Sequence, residues 1–284
     1  MAIDVRNLGY VYNADSPFRS DALKNISFTI EEGEFVGIIG HTGSGKSTLI
    51  QMFNGLLVPT SGTVTVNGIS VEKGSKLKAL RDQVGLVFQY PEYQLFEETV
   101  GKDVAFGPRN LGLSEEEILH RVHDSLLKVH MDPQIVAERS PFELSGGQKR
   151  RVAIAGVLAM NPRILVLDEP AAGLDPRSRN DMLDLLSELH QSGLTVIMVS
   201  HSMDDVARVA QRVLALDHGE LVMDGSPREV YARSEELERI GLGIPTVAAF
   251  GALLREKGVP VPRDILTVEE MKDWLLNHRK GGVQ

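Results

Sequence analysis

The 284-residue sequence has no cysteine and no apolar run approaching the ~20 residues that a helix needs to cross a bilayer. Without cysteine, disulfides and thiolate metal sites are excluded, and a reducing compartment is compatible with the composition. The residues Met1–Val5 have neither the basic nor the apolar region of a signal peptide, so we expect none. Any role at a membrane is therefore expected to depend on a partner protein.

A basic excess is also missing, because the formal net charge is −9. Proteins that bind nucleic acid by neutralising its phosphates carry clustered lysine and arginine. We therefore expect no nucleic-acid partner. The 42% of hydrophobic residues suffices for the core of one large domain or two modest ones.

The clearest motif is the stretch Gly-His-Thr-Gly-Ser-Gly-Lys-Ser-Thr, which matches the P-loop pattern G-x-x-x-x-G-K-[ST]. An apolar strand-like run, Phe35–Ile39, precedes it, and an amphipathic helix-like run, Thr48–Phe53, follows it. Glycines let successive N–H groups surround an anion, and the helix N-terminus adds partial positive charge. We predict that Lys46 reaches the β- and γ-phosphates of a nucleotide and that the Ser47 hydroxyl holds Mg²⁺. The predicted phosphate site comprises Gly40, Thr42, Gly43, Ser44, Gly45, Lys46, Ser47 and Thr48.

The rest of the chain alternates strand-like and helix-like patterns, which is typical of an α/β protein. Strands are predicted at Asp4–Leu8, Ile26–Ile30, Phe35–Ile39, Thr63–Val66, Val84–Phe88, Ile164–Leu167, Thr195–Val199, Leu214–Leu216 and Glu220–Met223. The pattern is helical from 91 to about 161, including a helix over Gln148–Met160, and a later helix is predicted over Ser178–Gln191. A boundary after Gly225 divides a domain over 1–225 from a helical extension over 226–284.

Two helix starts carry a Ser/Thr-x-x-Glu capping box. The first, Ser114-x-x-Glu117, opens a helix whose apolar positions are expected in the core: Ile118, Leu119, Val122, Leu126 and Leu127. The second, Thr267-x-x-Glu270, opens a last helix whose apolar positions are Val268, Met271, Trp274 and Leu275.

Four further motifs follow the P-loop: Leu144–Gln148, Ile164–Pro170, Gly173–Asp175 and His201. With them, the chain resembles the nucleotide-binding subunit of an ABC transporter over at least residues 3–225. The resemblance implies a P-loop NTPase with a RecA-like parallel sheet, an antiparallel β subdomain, a helical signature subdomain and a small helical C-terminal extension. It also implies an ATPase that uses ATP and Mg²⁺.

Within that family, the chain is most similar to the ATPases of energy-coupling factor (ECF) importers of vitamins or metal ions. The run Val87–Phe96 resembles their F-Q-x-P-x-x-Q pattern, and the extension includes an Ile-Pro-Thr-Val start at Ile244–Val247. The run Phe96–Pro108 looks most like one of the two related ATPases that pair in such complexes.

The resemblance assigns a role to each motif residue. Glu169 is expected to act as general base toward the attacking water, with His201 orienting it across from the γ-phosphate. Asp168 and Gln89 are expected near Mg²⁺, with Gln89 also sensing the γ-phosphate. Tyr12 is expected to stack on adenine.

A second subunit is implied by the signature Ser145, Gly146, Gly147 and Gln148, which lies far from Lys46 along the chain. In the family, this element closes on ATP held by another subunit, so two chains enclose two nucleotides. Asp175 is expected at that interface. Whether the second subunit is another copy or a paralogue stays open.

The ECF reading further implies a transmembrane coupling protein, a substrate-capturing membrane protein and a peripheral location on the cytoplasmic face of the membrane. We expect a groove lined by carboxylates, Glu92, Glu97, Glu98 and Asp103, to receive an arginine of the coupling protein. The alternative for these residues is a solvated acidic surface. Two alternatives for function are the ATPase of a conventional ABC importer and a soluble ABC ATPase acting on nucleic acid or ribosomes.

Overall fold

Two sheets organise the protein in the computed structural model, which describes residues 1–74 and 77–281. The end of the predicted extension, 282–284, lies outside the described residues. The strands are β1 Ile3–Tyr12, β2 Ser20–Ile30, β3 Phe35–Ile39, β4 Ser61–Val66, β5 Ile69–Ser70, β6 Val84–Val87, β7 Ile164–Asp168, β8 Thr195–Val199, β9 Arg212–Asp217 and β10 Glu220–Gly225. The helices are α1 Lys46–Phe53, α2 Lys78–Arg81, α3 Val100–Asn110, α4 Glu115–Lys128, α5 Pro133–Val136, α6 Gly146–Leu158, α7 Pro176–Gln191, α8 Met203–Val209, α9 Pro227–Tyr231, α10 Ser234–Arg239, α11 Thr246–Glu256 and α12 Val268–Gly281.

The larger sheet has the order β10-β9-β3-β8-β7-β6 and is parallel except for β10. Its central strands are largely apolar because both faces are buried, one against α1 and the smaller sheet and the other against helices. Asp168 at the end of β7 lies beside Val199 at the end of β8. The carboxyl ends of β3, β7 and β8 therefore bring their following loops to one edge. The predicted P-loop NTPase fold is confirmed.

The smaller sheet is antiparallel, with the order β2-β1-β4-β5. Strands β1 and β2 are longer than predicted, and they take in much of the expected loop between them. Asn7 and Asn25 have left-handed φ values of 47° and 49°, and the β1–β2 register shifts within this stretch. These irregularities interrupt the two-residue alternation from which strands are recognised in a sequence.

Helices α3 to α6 form the predicted helical segment, but the expected apolar face of α4 is narrower than predicted. Ile118, Val122 and Leu126 are buried, whereas Leu119 and Leu127 are mostly exposed. Each of the two exposed leucines lies one residue, or about 100° around the helix, beyond a buried position. The α4 cap is also only half of the predicted box, because the Ser114 hydroxyl accepts from the Glu117 N–H and the Glu117 carboxylate pairs with Arg121.

The C-terminal region packs in two parts. Helices α9 and α10 join the main core through Tyr231 and Leu237, and Tyr231 donates to the Met203 carbonyl. A separate small cluster contains Val247, Val261, Ile265 and Met271. The boundary after Gly225 stays a prediction.

The capping box of α12 is confirmed by reciprocal bonds between Thr267 and Glu270. Its apolar face is narrower than predicted, because Val268 and Leu275 are exposed while Met271 is buried. Within the described ranges, none of the helices has the length and hydropathy needed to span a membrane.

One buried ion pair joins the helical segment to the main sheet. The Arg150 guanidinium on α6 is 2% exposed and donates two hydrogen bonds to the Glu92 carboxylate, at 3.0 and 2.7 Å. It also donates to the carbonyls of Pro170 and Ala172, at 3.0 and 2.7 Å, in the loop after β7. Burial alone would raise the pKa of Glu92, but the hydrogen bonds and charge of Arg150 outweigh it and hold that pKa below its ordinary value.

This pair generates a stability prediction. We expect Glu92→Gln to lower the free energy of unfolding by about 3 kcal/mol, because a buried guanidinium loses its counter-charge. Urea unfolding followed by circular dichroism measures the change.

The matched control is Glu98→Gln, since Glu98 forms an exposed pair with Lys102. Its unfolding midpoint should equal that of the wild type. Equal midpoints for both variants would contradict the structural role of the Arg150–Glu92 pair.

Candidate active site

A cleft of about 920 Å³ lies at the carboxyl ends of β3, β7 and β8. This is the edge at which parallel α/β sheets bind ligands. The structure brings most of the predicted site residues together here. Those lining the cleft are Tyr12, Gly40, Thr42, Gly43, Gly45, Lys46, Ser47, Thr48, Gln89, Asp168, Glu169 and His201.

The P-loop backbone requires its glycines. Gly43 and Gly45 have φ values of 85° and 102°, and a Cβ on Gly45 would meet the Ala22 carbonyl oxygen at 2.7 Å. Beneath the loop, the Ser44 hydroxyl is fully buried and has no hydrogen-bond partner in the part of the chain that the structure describes. An open backbone curve with a spare hydroxyl beneath it fits the binding of phosphate oxygens.

Lys46, the first residue of α1, bends back over the loop. Its Nζ donates to the carbonyls of Gly40 and His41, at 2.7 and 2.9 Å. Burial lowers the pKa of the Lys46 ammonium, while Glu169 and Asp168 act in the opposite direction. The ammonium is therefore held at the mouth of the loop, where the phosphates of a nucleotide are expected.

Ser47 and Asp168 form an oxygen pair suited to a hard cation. The Ser47 hydroxyl donates to Asp168 Oδ2 at 2.9 Å, and Gln89 contributes an amide to the same cleft. Burial raises the pKa of Asp168, and this effect is opposed by the Ser47 hydrogen bond and the Lys46 charge. Mg²⁺ prefers carboxylate and other oxygen ligands, so these residues fit it.

Glu169 and His201 contact each other at the lining of the cleft. Glu169 has a left-handed φ of 53°, and its N–H donates to the Val199 carbonyl, which fixes the turn after β7. His201 Nδ1 lies 2.8 Å from Glu169 Oε1, with Glu169 largely buried and His201 largely exposed. Burial raises the pKa of Glu169, while the hydrogen bond and charge of His201 oppose that rise.

The signature residues do not line this cleft. Ser145 begins α6 with a full capping box. The Ser145 hydroxyl accepts a hydrogen bond from the backbone N–H of Gln148, and the Gln148 side chain accepts one from the backbone N–H of Ser145. A Cβ on Gly146 would meet nothing within 4 Å, so this helix start faces open space. Asp175 caps α7 by accepting from the N–H groups of Arg177 and Ser178. The roles predicted for these residues stay predictions.

A groove of about 430 Å³ lies between α3 and α6, where the sequence predicted a groove lined by carboxylates. The structure differs from that prediction. The lining of the groove is mostly apolar, with Asp103 as the single carboxylate among the described residues that form it. Including Glu92 in this lining was wrong, because the turn Pro91–Gln94 directs that side chain to Arg150. Glu98 is 82% exposed and pairs with Lys102.

One wall of the cleft is formed by the segment 241–244, which no sequence motif predicted. Leu242 in this segment is buried in the main core. Just beyond it, the Thr246 N–H and hydroxyl donate to the two carboxylate oxygens of Asp204, each at 2.8 Å. Asp204 also lines the cleft, on the loop and helix that follow His201. The wall was missed because glycine, leucine and isoleucine carry no recognisable chemistry.

Comparisons with known proteins agree with this geometry. The family model described as ABC transporter matches residues 23–172, and a model of the energy-coupling factor transporter EcfA1 C-terminal domain matches residues 251–277. The chain is 53% identical to the energy-coupling factor transporter ATP-binding protein EcfA2 of Caldanaerobacter subterraneus subsp. tengcongensis, over 99% of both chains. It is 54% identical to the protein of the same name from Clostridium perfringens, over 97% of this chain and 98% of that one.

Solved structures give the same picture. Clostridium perfringens cbiO1, part of the ABC transporter complex cbiONQ, superposes with a TM-score of 0.76 at 37% identity, over 89% of this chain and 98% of that chain. The ATP-binding cassette MJ0796, in a dimeric post-hydrolysis state bound to ADP and Pi, has a TM-score of 0.69 at 32% identity, over 79% and 98% of the two chains. These likenesses favour the ECF group over the two alternatives.

The wall formed by 241–244 generates a binding prediction. We expect Thr246→Val to weaken ATP binding by ~3- to 10-fold, because one hydrogen bond to a charged group is lost and the wall is held less firmly. Thr246→Ser keeps the hydroxyl and should bind as the wild type does. Equilibrium titration with a fluorescent ATP analogue measures both.

Thr99→Val is the control, because it removes a similar hydroxyl at the cap of α3, which lines neither the cleft nor the pocket that Thr246 and Asp204 share. It should leave nucleotide affinity unchanged. If Thr246→Val binds ATP as tightly as the control, the wall has no part in holding the nucleotide.

Proposed function

The chain belongs to the ATPases of ABC transporters, in the energy-coupling factor group, and on this premise we propose that it powers an ECF importer of a vitamin or metal ion by hydrolysing ATP in the cleft around Glu169. The observation that carries the assignment is the meeting of Lys46, Ser47, Asp168, Glu169 and His201 in one cleft. Phosphate-binding, cation-binding and proton-accepting groups thus converge on the volume expected for a nucleotide.

Glu169 is the general base of this proposal. Its carboxylate takes a proton from the water that attacks the γ-phosphate, and the raised pKa suits it to hold that proton in the transition state. His201 holds the Glu169 side chain through their 2.8 Å contact and orients the water. Lys46 binds the β- and γ-phosphates.

Mg²⁺, when bound, supplies neutralisation of phosphate charge, and Ser47, Asp168 and Gln89 are the residues that would hold it. Tyr12 is proposed to stack on adenine. Its hydroxyl lies 3.2 Å from Thr48 Oγ1, which places the ring beside the first turn of α1. The ring is partly exposed, so one surface is free for a base.

Glu169→Gln tests the base. We expect ATP binding to persist, because Lys46 and Ser47 are unchanged, and the hydrolysis rate to fall by ~10² or more through loss of the proton acceptor. Steady-state phosphate release and nucleotide titration separate the two effects.

The control is Glu235→Gln, a carboxylate 87% exposed on α10. Its hydrolysis rate should match that of the wild type. Near-normal turnover by Glu169→Gln would remove Glu169 from the role of base and leave the ATP-binding assignment intact.

We also propose that a second ABC ATPase subunit, either another copy or a paralogue, completes the site. The open helix start at Ser145–Gln148 supports this, since it offers N–H groups and a positive helix end to an anion that its own cleft does not supply. The dimeric state of the MJ0796 cassette offers a precedent. Asp175, at the start of α7, is proposed to lie at the same interface.

The groove between α3 and α6 is the proposed docking site for a transmembrane coupling protein. Phe96 and Phe106 are exposed and pack edge to face at 5.1 Å, which gives the groove an apolar rim. Asp103 Oδ2 accepts from the N–H groups of Phe96 and Glu97, and burial raises the pKa of this carboxyl despite those bonds. A short helix with small apolar residues and one arginine fits this lining better than a strongly basic helix does.

Asp103→Asn tests the groove. The amide oxygen preserves the bonds from Phe96 and Glu97, while the charge available to an arginine disappears. We expect the affinity for the membrane partner to fall by ~10-fold or more, because a guanidinium in an apolar groove loses its counter-charge. Copurification of the tagged chain with detergent-solubilised membranes, followed by quantitative binding, measures this.

The matched control is Glu98→Gln, which removes a carboxylate that lies outside the groove. It should copurify as the wild type does. Equal recovery of partner by Asp103→Asn and by the control would show that this carboxylate does not bind the coupling protein.

In this proposal, the protein works on the cytoplasmic face of the membrane, and a separate membrane protein captures the solute. The specificity for a given vitamin or metal ion therefore resides outside this chain. Identifying the membrane proteins recovered with the tagged wild-type chain, and measuring ATP-dependent uptake after reconstitution, tests the transport assignment. Recovery with ribosomes or nucleic acid instead would overturn it.

A further inference from the structure

A cluster of two histidines and an aspartate lies between the P-loop and the turn that joins β9 and β10. His41 is the second residue of the P-loop motif, and Asp217 and His218 form the turn with Gly219. The Gly219 N–H donates to the Ser44 carbonyl at 3.1 Å, so the turn is bound to the loop backbone. None of the functions assigned above uses these side chains.

The contacts of His41 place its Nε2 next to a carboxylate oxygen, although its Nδ1 already faces a hydrogen-bond acceptor. Nδ1 lies 2.8 Å from the Thr42 carbonyl oxygen, and a carbonyl can only accept, so Nδ1 carries a proton. Nε2 lies 2.8 Å from Asp217 Oδ1. A neutral imidazole has a single N–H, so the Nε2 lone pair would face a carboxylate oxygen. Either a second proton or a cation must separate them.

The position of His218 favours a bound cation over a second proton. His218 Nε2 lies 3.7 Å from the same Asp217 oxygen, and the two imidazole rings are 4.9 Å apart. Ligand atoms of the three residues all lie within 4.8 Å of one another. Zinc bonds of about 2.0–2.2 Å place neighbouring tetrahedral ligand atoms roughly 3.3 Å apart, between the two measured separations.

We propose that His41, Asp217 and His218 bind a divalent transition-metal ion, with Zn²⁺ as the best match to two imidazoles and one carboxylate. The bond from His41 Nδ1 to a backbone carbonyl is the arrangement that fixes a metal-binding imidazole with its other nitrogen free. Three protein ligands leave a fourth position open to water. The ion joins the P-loop to the β9–β10 turn, beside the nucleotide cleft that His41 lines.

The experiment uses the full chain without an affinity tag, stripped with a chelator and kept free of nucleotide and Mg²⁺. Competition with a chromophoric zinc chelator measures stoichiometry and affinity. We expect one Zn²⁺ per chain, and His218→Asn should weaken binding by ~10-fold or more. Asparagine suits this position because His218 has a left-handed φ of 46°, which asparagine adopts readily, so the turn is retained.

His130→Asn is a closely matched control. His130 also has a left-handed φ, 58°, and its Nε2 also lies near a carboxylate, that of Glu188 at 2.7 Å. This variant should bind Zn²⁺ as the wild type does. A second readout is Co²⁺, whose visible absorption reports tetrahedral coordination and should be lost in His218→Asn and in His41→Asn.

Two results would overturn the proposal. One is absence of stoichiometric Zn²⁺ binding by the wild type, or equal binding by the wild type, His41→Asn and His218→Asn. The other is nitrogen NMR showing protons on both ring nitrogens of His41 when Zn²⁺ is present, because a proton would then occupy the position assigned to the metal. Circular dichroism of each variant confirms that it is folded, so loss of binding is attributable to the ligand removed.

Discussion

The buried guanidinium of Arg150 is the constraint on which the active site depends. It binds Glu92 just after Gln89, and it binds the carbonyls of Pro170 and Ala172 just after Glu169. Breaking any of these contacts would leave a buried charge or a buried carbonyl short of partners, which costs far more than an exposed pair does. The segment that follows β6, the segment that follows β7 and helix α6 are therefore held as one unit.

The chemistry at the sheet edge depends on a second balance. Burial disfavours the negative charge of two carboxylates, and neighbouring cations and hydrogen-bond donors favour it. Asp168 and Glu169 end a strand that is apolar along its length, and burial raises the pKa of both carboxyls. Lys46 and the Ser47 hydroxyl, both in the first turn of α1, and His201, in the loop after β8, oppose that effect. The two carboxylates are thus kept in an arrangement that cations and phosphates can complete, and no single loop could provide it.

The sequence predicted the parts of this site that depend on local backbone chemistry. The glycines of the P-loop and the apolar strands β3, β7 and β8 are set by neighbouring residues, as is the cap at Thr267 outside the site, so their patterns can be recognised in the sequence. The Arg150–Glu92 pair and the Thr246–Asp204 bonds join residues distant in sequence, and arginine or threonine at those positions has no local signature. The carboxylate-lined groove predicted from the acidic residues after Gln89 was wrong for the same reason. Tertiary contacts decide whether a carboxylate is exposed and what it pairs with.

Helix α6 explains how the two proposed partner surfaces can act on one another. Its first turn carries the signature that we assign to the second ATPase subunit, and Arg150 lies one turn further on. Val152, Ala153, Gly156 and Val157 on the same helix line the groove that we assign to the membrane protein. The signature, Arg150 and the groove residues are thus all carried by one helix, whose amino end is capped and whose guanidinium is bound. If two subunits close on ATP as we propose, the groove and the signature are expected to move together, and the partner in the groove receives that displacement directly.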